Sequence, residues 1–216
     1  MKNYDHGDSG FMTFKLDMSK TYDWVEWSFL ENLMRKMGFK ERWIGLIMVC
    51  VKPISYSILI NDKPKELITP TRGIRQGDPL SHFLFLLGIE SLHGLINNAK
   101  SRGDIKGFSL CKRGPTLTHM LFADDNLLFC RATSEECAKV LNILEAYEQA
   151  SGQKVNKNKT AIFFSKSTSE TTKQAIQATM GHQKITQYEY LGLPSLIGRG
   201  KKESFSYIKE KVWWKL

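Results

Sequence analysis

Read as a pattern of apolar and polar positions, the chain alternates short strand-like runs with longer helical ones. Phe11 to Leu16 is a short apolar segment that predicts a buried strand, closed by Asp17. Val25, Phe29, Leu30, Leu33, Met34 and Met37 then recur at helical spacing, and Gly38 supplies a stop. Trp43, Ile44, Ile47, Met48 and Val51 predict a second helix, closed by Pro53. Ile54, Tyr56, Ile58 and Ile60 alternate as in a strand, Asn61 to Pro64 reads as a turn, and Glu66 to Thr69 can pair back. Pro79 opens a long apolar helix that runs to about Ala99.

Leu117 to Phe122 and Leu127 to Cys130 are two apolar strands around Ala123-Asp124-Asp125-Asn126, a hairpin with two carboxylates at its tip. Thr133 and Glu136 form a capping-box signature ahead of Val140, Leu141, Leu144 and Tyr147, and Ser151-Gly152 ends that helix. A short strand at Ala161 to Phe164, a polar helix near Glu170 to Met180, a short strand at Tyr188 to Leu191 and a last helix at Phe205 to Trp214 complete the expectation. This mixture predicts an α+β fold, an antiparallel sheet with helices packed on one face.

Composition narrows the class. With 42% hydrophobic and 25% charged residues in 216, the chain has the make-up of a globular protein with one core, or one core and an appendage. No run of eighteen apolar residues predicts a membrane span, and the first ten residues lack the apolar stretch of a signal peptide, so an intracellular location is expected. The four cysteines form no CxxC pair and the five histidines no HxxxH, which argues against a zinc site or a disulfide framework. The net charge of +9 fits a nucleic-acid partner through phosphate neutralisation, though a generally basic protein would look the same.

The candidate chemistry lies in three acids. Asp17 ends the first strand, and Asp124 and Asp125 sit side by side between apolar runs. Adjacent carboxylates in such surroundings stay ionised when a cation is present. Oxygen ligands favour Mg²⁺, and two such ions about 3.5–4 Å apart can clamp the attacking and leaving oxygens of a phosphoryl transfer. Taken alone, an Asp-Asp pair in a turn is more often a solvated turn.

Five segments change that balance. Phe14-Lys15-Leu16-Asp17-Met18-Ser19-Lys20-Thr21-Tyr22-Asp23 resembles motif A of the reverse transcriptases of non-LTR (LINE-type) retrotransposons, especially those of plant genomes. Arg72 to Ser81 resembles motif B, Phe122-Ala123-Asp124-Asp125 motif C, Gly152 to Thr160 motif D, and Tyr190-Leu191-Gly192 motif E. The order is the family's, and the ordered set is far more specific than any member.

The resemblance implies a polymerase palm over residues 1–198, with 199–216 beginning a thumb or connection segment. It implies an RNA-directed DNA polymerase that takes an RNA template, a DNA primer and deoxynucleoside triphosphates, with two Mg²⁺ or Mn²⁺ ions. Asp17, Asp124 and Asp125 would ligate the metals, with the Met18 carbonyl as a further ligand. Tyr22 would lie under the sugar and block a 2′-hydroxyl, its alternative being a core aromatic. Gln76 and Gly77 would meet the nucleotide, with Asp78 and Pro79 structural at the helix start. Lys159 would serve the departing pyrophosphate, with Lys154 and Lys157 as competitors and a solvated lysine as the plain alternative. Tyr190, Leu191 and Gly192 would form a hairpin gripping the primer.

The sequence departs from the family where it has Thr21 for Ala, Trp24 for Arg and His82 for Pro. His82 is a ligand candidate by type and a polar helix position by context. Only sixteen residues precede Asp17, so the basic fingers region is expected to be largely missing, as is most of the thumb after Trp213-Trp214. The chain therefore reads as a palm fragment of a truncated element. A retrotransposon life implies the nucleus, although no import cluster is visible. The alternatives are a catalytically inactive remnant with residual nucleic-acid binding and a basic module without enzymatic activity.

Overall fold

The computed structural model describes residues 10–52, 55–109, 114–122, 125–156, 159–165, 167–180, 189–190 and 193–194. Its centre is β1 (Phe11–Ser19), whose residues alternate strictly between a buried and a half-buried face. Met12, Phe14, Leu16 and Met18 point into the core; Phe11, Thr13, Lys15, Asp17 and Ser19 take the other face, as a period of two requires. The apolar segment at the start of the chain is thus one-sided rather than wholly buried, and it runs past Asp17.

Two helices follow. In α1 (Trp27–Lys36) Leu30 and Met34 are buried, and in α2 (Glu41–Val51) Ile44, Met48 and Val51 are, spacings that each make one stripe. Gly38 adopts φ +85 just after α1, a backbone that glycine takes without strain. The hairpin of β2 (Tyr56–Ile60) and β3 (Lys63–Ile68) turns on Asn61 and Asp62, both at positive φ. The turn is therefore two residues, not four, and Lys63 and Pro64 already belong to the returning strand. Every residue of this hairpin is exposed.

The long helix α3 (Ser81–Ser101) starts two residues after Pro79. Asp78 supports the preceding turn, its Oδ1 accepting from the Leu80 amide at 2.8 Å. Next come β4 (Phe108–Ser109) and β5 (Thr116–Leu117), which pair with each other, and the hairpin strands β6 (His119–Phe122) and β7 (Asp125–Arg131). Leu117 therefore lies outside the hairpin strand. Asp125 and Asn126, expected in the tip, are the first residues of β7, with Phe122 opposite Asp125.

Helix α4 (Ser134–Ser151) has Thr133 as its N-cap, the Thr133 Oγ1 accepting from the Glu136 amide at 3.2 Å. The reciprocal half of the capping box is not formed. The Glu136 carboxylate is buried and instead accepts from the amides of Lys106 and Arg131 and from the Arg131 guanidinium, tying three segments together. Gly152 ends α4 at φ +77, where a Cβ would come within 2.6 Å of the Trp24 carbonyl. The short β8 (Lys154–Val155), β9 (Ala161–Phe164) and α5 (Glu170–Met180) follow, then a hairpin of β10 (Glu189–Tyr190) and β11 (Leu193–Pro194). The segment 205–214 lies outside the described residues.

The main sheet is antiparallel throughout, in the order β6-β7-β1-β8, with β9 beside β8 on the same edge of β1. Its buried face packs on α3, α4 and α5 through Leu92, Ile96, Val140, Leu144, Tyr147 and Ile176. Burial of each such side chain contributes about 2 kcal/mol. A second cluster joins α1 and α2 to the first half of α3 through Leu30, Met34, Ile44, Met48, Leu84 and Phe85. Helix α3 belongs to both cores. The expected α+β class, with helices on one face, is what the chain adopts. Among the described residues no helix is long and apolar enough to cross a membrane.

Candidate active site

The open face of the sheet ends in a cleft of about 780 Å³ lined by Asp17, Met18, the turn from Ser19 to Trp24, Gln76, Phe85, Asn156 and Lys159. It brings together residues from four separated stretches of sequence.

Asp17 reaches the cleft because β1 does not stop there. Met18 and Ser19 pair with Val155 and Lys154 of β8, and the Asn156 amide donates to the Asp17 carbonyl at 2.7 Å. On the other side Asp17 stands opposite Asp125 in the β1–β7 register. Directly opposed residues have Cα atoms about 5 Å apart and share a face of the sheet. Asp124 lies outside the described residues, and Asp125 is described by its backbone alone. Among the described residues no group of three His, Cys, Asp or Glu is assembled.

The turn after β1 is tightly held. Lys20 takes φ +44, the Asp23 amide donates to the Lys20 carbonyl at 3.0 Å, and the Thr21 hydroxyl donates to the Met18 carbonyl at 3.2 Å. The segment before α3 grips it from one side: the Ile74 amide donates to the Tyr22 carbonyl at 2.9 Å and the Gly73 amide to the Val25 carbonyl at 2.8 Å. Gly73 has φ +92, and a Cβ there would lie 2.8 Å from the Asp23 carbonyl oxygen, so only glycine fits. Trp27 adds a hydrogen bond from its Nε1 to the Gly73 carbonyl at 2.7 Å. From the other side, the Gln153 amide nitrogen donates to the Thr21 carbonyl at 2.7 Å.

Tyr22 is half-buried and stacks on Phe85, with ring centroids 5.3 Å apart and planes at 27°. It is thus a cleft wall and a packing residue at once. Gln76 is exposed at the rim, and Gly77 beside it takes φ +88 with nothing within 4 Å of where a Cβ would stand. Of the three lysines, Lys159 lines the cleft, Lys154 is drawn to Glu148 at 3.8 Å, and Lys157 lies outside the described residues. His82 is exposed on the first turn of α3, its ring against Phe83, and does not line the cleft. Thr21 and Trp24 do line it, and Arg72 stacks over the Trp24 ring at 4.5 Å. Tyr190 pairs with Leu193 in the β10–β11 hairpin, while Leu191 and Gly192 lie outside the described residues.

Phe85 and Gln153 carry no mark in the sequence beyond membership of an apolar helix and of a polar motif. Only the fold shows that one stacks on Tyr22 and the other crosses to Thr21.

A family model for reverse transcriptase (RNA-dependent DNA polymerase) matches residues 3–195. The chain belongs to the reverse transcriptase family. This reverse transcriptase domain is 48% identical over 67 residues to an uncharacterized mitochondrial protein of Arabidopsis thaliana, covering 31% of this chain and 55% of that one. It is 27% identical over 113 residues to the retrovirus-related Pol polyprotein from type-1 retrotransposable element R2 of Popillia japonica, covering 52% of this chain and 18% of that one. The domain thus spans about half of the first relative and under a fifth of the second. The second bears out the resemblance to the reverse transcriptases of retrotransposons.

Among solved structures the domain is similar to Candida tropicalis telomerase in complex with a fragment of telomeric RNA, with a TM-score of 0.60 and 12% identity over 94% of this chain and 33% of that one. The corresponding Candida albicans telomerase gives 0.55 and 17% over 74% and 28%. At these identities the likeness is one of fold, and it supports the palm architecture.

Proposed function

We propose that the cleft is the catalytic site of an RNA-directed DNA polymerase that works within a longer retrotransposon protein. Its substrates are an RNA template, a DNA primer and deoxynucleoside triphosphates. The observation that carries this reading is the convergence of Asp17, Met18, Tyr22, Gln76 and Lys159, from three separated segments of chain, on one cleft.

The donor set suits Mg²⁺ or Mn²⁺: a carboxylate on β1, a backbone carbonyl next to it, and a second carboxylate position directly across the sheet. Asp17, Asp124 and Asp125, with the Met18 carbonyl, would hold two ions. When bound, such ions stabilise the charge on the attacking and leaving oxygens. The bond formed joins the primer 3′-oxygen to the α-phosphorus; the bond broken releases pyrophosphate.

The chain's own residues position these partners. Tyr22, backed by Phe85, closes the space where a 2′-hydroxyl would stand. Gln76 at the rim contacts the nucleotide, and the open backbone at Gly77 admits it closely. Lys159 holds a proton at Nζ for the departing pyrophosphate. Tyr190, Leu191 and Gly192 hold the primer, and the net charge of +9 favours the phosphate backbone.

The test is extension of a DNA primer on an RNA template, by this chain and by this chain joined to the fingers region of a relative. Extension by the joined protein that Asp17→Asn abolishes is the expected result. Extension that survives Asp17→Asn would remove the cleft from the chemistry.

A further inference from the structure

Gln153 is 1% exposed, yet its side chain ends in a polar amide. Its Nε2 donates to the Thr21 carbonyl at 2.7 Å across 132 residues of sequence, and its Oε1 accepts from the Tyr147 hydroxyl. Its own amide donates to the Ser151 Oγ at 3.2 Å, and that hydroxyl donates back to the Tyr147 carbonyl at 2.7 Å. The last turn of α4 therefore presents one oriented amide group to the turn that carries Tyr22. Burial keeps the Tyr147 phenol protonated far above neutral pH, so it remains a donor and fixes which end of the Gln153 amide faces Thr21.

On its other flank the same turn is held by the Ile74 amide on the Tyr22 carbonyl. Tyr22 thus sits between two hydrogen bonds on successive carbonyls, one from each side. The Ile74 bond is backbone and yields only to proline, which would also redirect the chain; the Gln153 bond is a side chain and can be removed alone.

We propose that Gln153 is a positioning residue for nucleotide selection: by holding the Thr21 carbonyl it fixes the Tyr22 ring at the height that separates deoxyribose from ribose. This rests on the reading of Tyr22 as the sugar-side wall. Gln153 itself does not line the cleft. Its contribution is one hydrogen bond, with the Tyr147 hydroxyl and Ser151 as the base that aims it.

The experiment uses the full chain with Gln153→Met and Gln153→Leu, each of which removes both polar ends and leaves an apolar side chain of similar size. Two readouts are taken. The first is calorimetric binding of dATP and of ATP with Mn²⁺. In the wild type dATP binds more tightly, and in both variants the ratio of affinities falls about fivefold, the factor carried by one neutral hydrogen bond. The second is ¹⁹F NMR of chain labelled with 3-fluorotyrosine, with the Tyr22 signal assigned by Tyr22→Phe. In the variants that signal moves or broadens while the signal of Tyr56, on the distant exposed hairpin, does not. A Tyr22 signal unchanged in a folded variant overturns the proposal whatever the nucleotide data. If the wild type shows no preference, or Tyr22→Ala leaves it intact, the sugar-side reading of Tyr22 fails, and the fluorine signal still decides whether Gln153 holds the ring. If both variants unfold, Gln153 is a residue of core stability and the positioning role is wrong.

Discussion

Asp17 of β1 and Asp125 of β7 are direct cross-strand partners. Like charges placed opposite one another in an antiparallel pair are destabilising, by a few tenths of a kcal/mol to about 1 kcal/mol. A divalent cation held between them, as proposed above, would offset that repulsion.

Mn²⁺ or Mg²⁺ should therefore raise the melting temperature of the wild type by binding the folded state preferentially. Asp17→Asn and Asp124→Asn should each lose most of that rise, while the metal-free variants melt no lower than the metal-free wild type. Thermal melts with and without metal make the comparison. An undiminished metal response in either variant would take that residue out of the site.

Tyr22→Ala should cost stability and selectivity together. Loss of the stack on Phe85 and a partly collapsed cavity should remove about 2 kcal/mol. In a protein that polymerises, ribonucleotide incorporation should rise relative to deoxynucleotide. Discrimination that stays at the wild-type level would leave Tyr22 as a packing residue only.

Two glycines with nearly the same φ should respond differently to alanine. Gly73 and Gly77 stand at +92 and +88, so both variants suffer backbone strain of about 1 kcal/mol. At Gly73 the added methyl also meets the Asp23 carbonyl at 2.8 Å, whereas at Gly77 it meets nothing. Denaturant unfolding should show Gly73→Ala to be the more destabilised by more than 1 kcal/mol. Equal losses would mean that the Gly73–Asp23 approach relaxes at no cost.

Burial raises the thiol of Cys137 from 9.0 to about 11 and that of Cys130 well above its ordinary value, with Glu136 and Cys137 adding to the effect on Cys130. An acid whose folded value is raised stabilises the fold while protonated, so this contribution is complete below about pH 9 and is lost as pH climbs towards 11. In that window each group weakens the fold by about 1.4 kcal/mol per pH unit. Cys137→Val should flatten the alkaline fall in a pH series of urea melts. The same burial should hold Cys130 and Cys137 unreactive to a thiol reagent at neutral pH, while exposed Cys50 reacts at once. Rapid modification of either buried thiol in the native state would contradict the packing.

Expressed as these 216 residues, the domain should extend primers poorly. The cleft offers Lys20 and Lys159 as cations among its lining residues, little against a triphosphate. Phosphoryl transfer depends on positioning and charge stabilisation, and misplacement by about 1 Å can cost a hundredfold. Joining a relative's fingers region ahead of Met1 should raise the rate. Robust extension by the chain alone, lost in Asp124→Asn, would refute this.

What the sequence could reveal followed from its two strongest signals. Periodicity marked α1, α2 and α4, because each buries a single face, while β1 and α3 were legible as apolar runs and α5 as a polar stretch. The ordered motifs marked Asp17, Tyr22, Gln76 and Lys159, which the fold then gathers in one cleft. Features set by pairing between distant segments escaped. Two residues of β8 have no period to read, yet they carry β1 beyond Asp17. Asp125 looked like part of a turn because the register that makes it a strand residue is written in β1. Glu136 matched a local capping pattern, but its carboxylate is taken by Arg131 and Lys106, which approach only after folding.

Helix α3 puts Phe85 in the cleft wall and in the core shared with α1 and α2, while Leu92, Ile96 and Ala99 on the same helix lie in the core under the sheet. One rod about 30 Å long thus spans both halves of the molecule. The gap between the acid-bearing sheet and the aromatic wall is consequently a fixed gauge, like the fixed jaw of a caliper. Under the proposed function, a substrate would be measured against it rather than embraced by it.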